Sequence, residues 1–208
     1  MTDFFNQAIT GLLLQSPIEH IAVGLGLAYL ILIMRQNVWG WPCALISTAL
    51  FTYVFWDVSL FMESLLNVYY MGMAVYGFWN WNRASADQPT LPIITWPLKT
   101  HALALGAIFI LSGASGYYLT TNTTAAWPYL DSFTTWGAVI TTYMVAQKVF
   151  ENWLYWLVID AVALYLYIDR GLYPTALLMA VYLILVVVGL ITWARLLQQQ
   201  ESPASNHA

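Results

Sequence analysis

The sequence predicts an all-α membrane protein of seven transmembrane helices, built as two three-helix repeats in parallel with one connecting helix between them. Three observations carry that expectation. Of 208 residues, 61% are hydrophobic and only 8% are charged, whereas a soluble domain averages about 25% charged residues. The apolar residues fall into seven runs of about 20, the length that a bilayer requires. The second half of the chain also repeats the first at the offset that carries Trp41 onto Trp153.

The spans are expected at 18–34, 38–57, 60–82, 101–119, 132–147, 150–168 and 171–194. Residues 1–17 precede them, and Phe4, Phe5, Ala8, Ile9 and Leu12 give this segment the pattern of a short interfacial helix. Polar breaks separate the spans: Arg35-Gln36-Asn37, Asp57, the loop from Asn82 to Thr100, the loop from Thr120 to Asp131, Gln147-Lys148 and Asp169-Arg170-Gly171. The first repeat is expected over 18–82, the connector with its own helix over 83–131, and the second repeat over 132–194. Residues 195–208 form a polar tail, expected to lack fixed structure. With the N-terminus outside, Arg35, Arg83, Lys99, Lys148 and Arg195 all fall inside, and only Arg170 falls outside. Five cations against one is a positive-inside bias, so the expected orientation is N-out and C-in.

The repeat rests on residues that are costly to match by chance. At the Trp41–Trp153 offset Tyr53 meets Tyr165, Asp57 meets Asp169, Tyr70 meets Tyr182, Gly77 meets Gly189 and Trp81 meets Trp193, with Leu60, Leu65 and Leu66 meeting Leu172, Leu177 and Leu178. A three-span unit ends on the side opposite its start. One additional span lets the second unit enter in the same direction, and parallel repeats of this kind are a transporter architecture.

Chemistry concentrates in the stretch from Glu151 to Asp160, ENWLYWLVID. On a helix Trp153, Trp156 and Asp160 stand at i, i+3 and i+7, within roughly 60° of one another. Two indoles beside an intramembrane acid suit a flat cationic ligand, which the rings stack on and the acid neutralises. Such an acid costs roughly 2.5–3.5 kcal/mol to insert, which makes it a functional candidate. Interfacial anchoring by the tryptophans, and a helix-to-helix bond by Asp160, are the structural alternatives. The first half offers a counterpart: Thr48 with Phe51 three residues on, and Asn67 with Tyr70 three residues on. Asn67 aligns with Met179 and Thr48 with Asp160, so a symmetric scaffold carries an asymmetric lining, as one asymmetric ligand would need. Glu63 reads as interfacial, and Asp57 and Asp169 read as turn residues.

Several classes are disfavoured. One cysteine, Cys43, allows no intrachain disulfide, and His20, His101 and His207 are scattered without the spacing of a metal site. A net charge of −4 provides no basic surface for nucleic acid. Residues 1–17 lack the positive region of a cleavable signal. No Walker A motif or nucleophile elbow is present, so neither an ATP-driven pump nor an intramembrane enzyme is expected, and no cofactor is called for. A seven-helix retinal receptor or pump would need a lysine in the last span, which has none. A proton-coupled carrier using Asp160 as a relay remains an alternative.

These residues together resemble the PnuC family of vitamin transporters over nearly the whole chain. The resemblance lies in Ser47-Thr48, Phe51, Val54, Leu65-Leu66-Asn67, Tyr70, Tyr76-Gly77 and Trp81, and in Glu151-Asn152-Trp153, Trp156, Asp160 and Gly171-Leu172-Tyr173. It implies a three-plus-one-plus-three fold like that of a full-length SWEET, and a homotrimer with one pathway per protomer in the bacterial inner membrane. It also implies facilitated diffusion of a vitamin that a cytosolic kinase then phosphorylates and traps. The implied binding residues are Trp153, Trp156, Asp160, Asn152, Asn67, Tyr70, Thr48 and Phe51. Family members for nicotinamide riboside resemble one another in Gln at the Asn67 position and Asn at the Asp160 position. This chain departs at both, which leans the expectation toward the thiamine-transporting branch, PnuT, with nicotinamide riboside as the alternative.

Overall fold

The computed structural model describes residues 2–57, 61–83, 91–124 and 127–201. It is all-helical, with eight helices: α1 (Thr2–Leu14), α2 (Pro17–Met34), α3 (Gly40–Asp57), α4 (Phe61–Trp81), α5 (Leu98–Asn122), α6 (Pro128–Ala146), α7 (Asn152–Asp169) and α8 (Tyr173–Glu201). The chain is an all-α membrane protein, and the distribution of its side chains shows why. Ser47, Asn67, Thr141, Asn152 and Asp160 are buried, whereas Leu103 and Ile110 are 75% and 73% exposed. Water would not tolerate that inversion, but hydrocarbon requires it. Helices α2, α5 and α8 are each long and apolar enough to cross a bilayer by themselves. The other long helices carry the polar residues.

Local sequence sets the helix ends. Ser16 caps α2: its hydroxyl accepts the Glu19 N–H at 3.3 Å, and the Glu19 carboxylate accepts the Ser16 N–H at 2.7 Å, a capping box with Pro17 at the first position. At its other end α2 closes with Asn37 N–H on Leu32 O at 2.9 Å and Gln36 N–H on Ile33 O at 3.0 Å. α6 closes with the same pair of bonds, Val149 N–H on Met144 O at 2.9 Å and Lys148 N–H on Val145 O at 3.0 Å. Both turns put a non-glycine residue in the left-handed region, Gln36 at φ 58 and Lys148 at φ 55, where glycine is the usual occupant. α7 ends conventionally, with Gly171 at φ 71.

One segment differs from the sequence expectation. The polar tail expected from Arg195 is helical through Glu201, because Arg-Leu-Leu-Gln-Gln-Gln-Glu consists of strong helix formers that need no apolar face to continue an existing helix. The interfacial segment does form a helix, although the side chains of Phe4, Phe5, Ala8 and Leu12 lie outside the described residues, as do Leu60 and His207.

The chain divides into two compact units. One contains Leu14–Ile94, Val145–Lys148 and Ile191–Ala208, and is called here the α2–α4 unit. In it α3 packs against both α2 and α4. Ser47 Oγ donates to Ala22 O of α2 at 2.7 Å, and Ser64 Oγ of α4 donates to Thr52 O at 2.9 Å. The indole of Trp41 fills the notch at Gly77, where a Cβ would collide with it. The other unit contains Met1–Leu13, Thr95–Met144 and Val149–Leu190, and is called the α5–α7 unit. In it Trp136 Nε1 of α6 donates to Ser115 Oγ of α5 at 2.8 Å, and Tyr129 fills the notch at Gly116. Trp127 Nε1 donates to Asp169 at 2.7 Å, and Arg170 lies 3.6 Å from Asp131, so the loops at that end are tied together. The α2–α4 unit thus also takes in Val145–Lys148 and the end of α8 from Ile191.

Candidate functional site

Helix α7 supplies four of the expected site residues, and its start is fixed firmly. The Glu151 carboxylate accepts the Trp96 N–H at 3.3 Å and lies 3.6 Å from His101 Nε2. His101 Nδ1 is 3.0 Å from the Tyr155 hydroxyl, and the two rings stack at 5.8 Å. This network ties α7 to α5 one turn ahead of the site, and nothing in the sequence links His101 to residues some fifty positions on.

From there α7 places Trp153, Trp156 and Asp160 on one face, as their spacing requires. Their environments differ. Asn152 is wholly buried; its Nδ2 donates to Val149 O at 2.6 Å, while its Oδ1 has no hydrogen-bond partner among the described residues. Trp153 is 1% exposed, and its indole fills the notch at Gly189. Trp156 is half-buried, leaving part of its ring available. Asp160 is buried, with Tyr182 of α8 within electrostatic reach of its carboxyl. Tyr182 is the repeat counterpart of Tyr70, so the offset already pointed to it although the sequence reading gave it no role.

The remaining four residues lie in the α2–α4 unit. Thr48 and Phe51 are half-buried on α3, and Asn67 and Tyr70 lie on the adjoining α4. Thr48 Oγ1 donates to Ala44 O at 2.8 Å, and Asn67 Nδ2 donates to Glu63 O at 2.9 Å. Both bonds are to the residue's own helix backbone. Asn67 is nonetheless buried, and Tyr70 packs at 5.6 Å against Tyr69. Phe51 stacks on Phe55 at 5.7 Å, presenting two parallel rings on one face of α3. Among the described residues no three His, Cys, Asp or Glu side chains converge as a metal site would need.

One cluster was missed by sequence reasoning. In the α2–α4 unit Trp41 meets Trp81 edge-on at 5.6 Å, and Trp81 lies 6.3 Å from Trp193. The ammonium of Lys148 sits 4.3 Å from the centre of the Trp81 ring. Lys148 is only 4% exposed, and burial pushes its pKa down to about 8. No carboxylate stands within ion-pair distance of it among the described residues.

Comparison with known proteins gives this geometry a family. A family model for the nicotinamide mononucleotide transporter matches residues 16–195. The nicotinamide riboside transporter PnuC of Escherichia coli is 21% identical over 218 residues, covering 92% of this chain and 91% of that one. The riboflavin/roseoflavin transporter RibM of Streptomyces davaonensis is 25% identical over 174 residues, covering 81% of this chain and 80% of its own. A crystal structure of the vitamin B3 transporter PnuC superposes with a TM-score of 0.74 at 20% identity, covering 94% of this chain and 88% of that chain. At that identity the superposition establishes a shared fold. With the family match spanning most of the sequence, the chain belongs to the PnuC family of multi-pass membrane transporters.

Proposed function

We propose that this transporter takes up a cationic aromatic vitamin of the nicotinamide riboside class by facilitated diffusion. The observation that carries the reading is on α7, where the buried carboxyl of Asp160 shares a face with the half-buried indole of Trp156. An indole face and a carboxylate together are the complement of a pyridinium ring. On α7 Trp156 stacks on the ring and Asp160 balances its charge; in the α2–α4 unit Asn67, Tyr70, Thr48 and Phe51 are proposed as further substrate-binding residues. Asn152, also on α7, holds an amide oxygen with no hydrogen-bond partner among the described residues. We assign Trp153 to packing, because its ring is already committed to the notch at Gly189.

The lean to thiamine is set aside. Asn67 and Asp160 alone do not decide between two ligands that both carry a permanent ring cation, and the relatives reported above transport nicotinamide riboside and riboflavin. The proposed architecture is seven spans, α2 to α8, in two parallel repeats with α5 between them, N-out and C-in, like a full-length SWEET and assembled as a homotrimer. Supporting the repeat are the paired turns at Gln36 and Lys148 and the paired Trp41–Gly77 and Trp153–Gly189 notches, each displaced by the Trp41–Trp153 offset. A uniporter only equalises concentrations, so net uptake requires a cytosolic kinase that converts the vitamin to a form the site does not return.

Titration calorimetry of the purified protein against nicotinamide riboside, thiamine and riboflavin tests the reading. Saturable binding of the riboside with none of thiamine is expected. Thiamine binding alone would restore the earlier lean, and binding of neither cation would remove the cationic-ligand reading. Uptake that vanishes when the proton gradient is collapsed would favour the proton-coupled alternative.

A further inference from the structure

Connecting loops normally run over a protein surface. The α6–α7 linker does not: Lys148 and Val149 are buried, as are Val145 and Ala146 at the end of α6. The Ala146 carbonyl, the last of α6, accepts two side-chain donors from the end of α4, Asn80 Nδ2 at 2.9 Å and Trp81 Nε1 at 3.2 Å. Gln147 bonds the Tyr76 hydroxyl, Ile94 N–H donates to Lys148 O at 3.0 Å, and the Lys148 ammonium rests on Trp81. The other sequence repeat returns the arrangement. Trp193, the counterpart of Trp81, donates its Nε1 to Ile33 O in the last turn of α2 at 3.3 Å. Each tryptophan therefore holds a terminal carbonyl of the first helix of the other repeat, and the two indoles meet.

Three features suit this arrangement to opening rather than permanence. The Ala146 carbonyl lies past the last intrahelical bond, and Ile33 O keeps its Gln36 N–H at 3.0 Å when the indole leaves, so water replaces either indole N–H readily. The closed arrangement also buries two groups that water would serve better: the Lys148 ammonium, and Gln36 Nε2, which has no hydrogen-bond partner among the described residues. Finally, both turns that would move are held in the left-handed region, at Gln36 and Lys148, and such strained positions are typical of hinges and switches. The N–H bonds of two tryptophans thus work against strain and desolvation stored at the same end.

We propose that Trp81 and Trp193 form a reciprocal gate latch, which holds the turn after Ile33 and the turn after Val145 within the α2–α4 unit and is released and reset once per transport step. The proposal rests on the transporter reading but not on the identity of the vitamin. Its test is hydrogen–deuterium exchange of the ligand-free protein in lipid nanodiscs, comparing wild type with Trp81→Phe and Trp193→Phe, which keep the rings and lose only the N–H donors. A latch predicts that either variant speeds exchange about five- to tenfold in both turns, Ile33–Asn37 and Val145–Val149, with the rest of the protein unchanged. Faster exchange only in the turn whose own bond was removed would mean two independent caps and overturn the proposal. Uniform acceleration everywhere, or none, would overturn it equally. Asn80→Leu, which removes the second donor to Ala146 O, is the replacement probe if Trp81→Phe does not fold. In proteoliposomes the phenylalanine variants should change the maximal rate of riboside exchange severalfold with KM within twofold, a split that a merely structural role would not give. If the riboside proves not to be the ligand, the exchange result still decides the latch.

Discussion

Replacing Lys148 with methionine should stabilise the protein at neutral pH, against the usual expectation for a buried residue. The side chain is only 4% exposed and its ammonium faces an indole rather than an acid. Burial lowers its pKa from 10.5 to about 8, and at roughly 1.4 kcal/mol per pH unit this is a penalty of about 3 kcal/mol on the charged form. The Trp81 face returns about 1–2 kcal/mol of it. The sign follows from proton counting. Below pH 8 the lysine is protonated in both states, and the folded state carries the whole penalty. Between pH 8 and 10.5 the unfolded chain holds more protons than the folded one, so stability rises with pH through that window. Methionine is close in volume and keeps the packing without the charge. At pH 7 Lys148→Met should gain about 1–2 kcal/mol, a Tm higher by about 2–8 °C for a chain of this size. Thermal unfolding in nanodiscs at pH 7 and pH 9.5 checks it. The wild type should gain more on alkalinisation than the variant does, and the other titrating groups cancel in that difference. A lower Tm for Lys148→Met at pH 7, with the pH response unchanged, would refute the reasoning and mean that the ammonium is held by favourable contacts.

Trp156→Ala should abolish saturable riboside binding in calorimetry while leaving the unfolding transition within a few degrees of wild type; retained affinity would remove Trp156 from the site. Asp160→Asn should weaken any thiamine binding more than that of nicotinamide riboside, because family members for the riboside resemble one another in Asn at this position, and an equal effect on both in calorimetry would show that the carboxylate does not discriminate between them. Gly77→Ala and Gly189→Ala should each cost about 1–3 kcal/mol, because a Cβ at either position meets an indole ring that has no room to withdraw; a normal Tm for both would show that Trp41 and Trp153 are free to shift.

Much of the fold was legible because membrane spans are written in one variable, the run of apolar residues between polar breaks. The spans expected to end at 34, 57 and 168 match α2, α3 and α7, which end at Met34, Asp57 and Asp169. The tail from Arg195 was misjudged because polarity signals departure from the bilayer, not the end of a helix. Within the site, the face formed by Trp153, Trp156 and Asp160 followed from helical spacing alone. What spacing could not show was which indole is committed to packing, because that depends on Gly189, a helix away. The sequence offset held that answer in compressed form, since Trp41 meets Gly77 as Trp153 meets Gly189. The Lys148–Trp81 contact and the His101–Glu151–Tyr155 network had no such signature: both join residues far apart in sequence, of types that ordinarily sit at a membrane edge.

The bond from Trp193 to Ile33 also sets a schedule for synthesis. The α2–α4 helices leave the ribosome early, yet Ile33 waits for a partner 160 positions later. At about 5–20 residues per second that is a delay of roughly 8–32 seconds. During that interval α3 to α7 are made while the Ile33 end of α2 is without its indole. A chain released before Trp193 would carry every residue of the α2–α4 face that is proposed to meet the ligand, and still lack the side chain that secures its end. The helices made first are therefore the ones completed last.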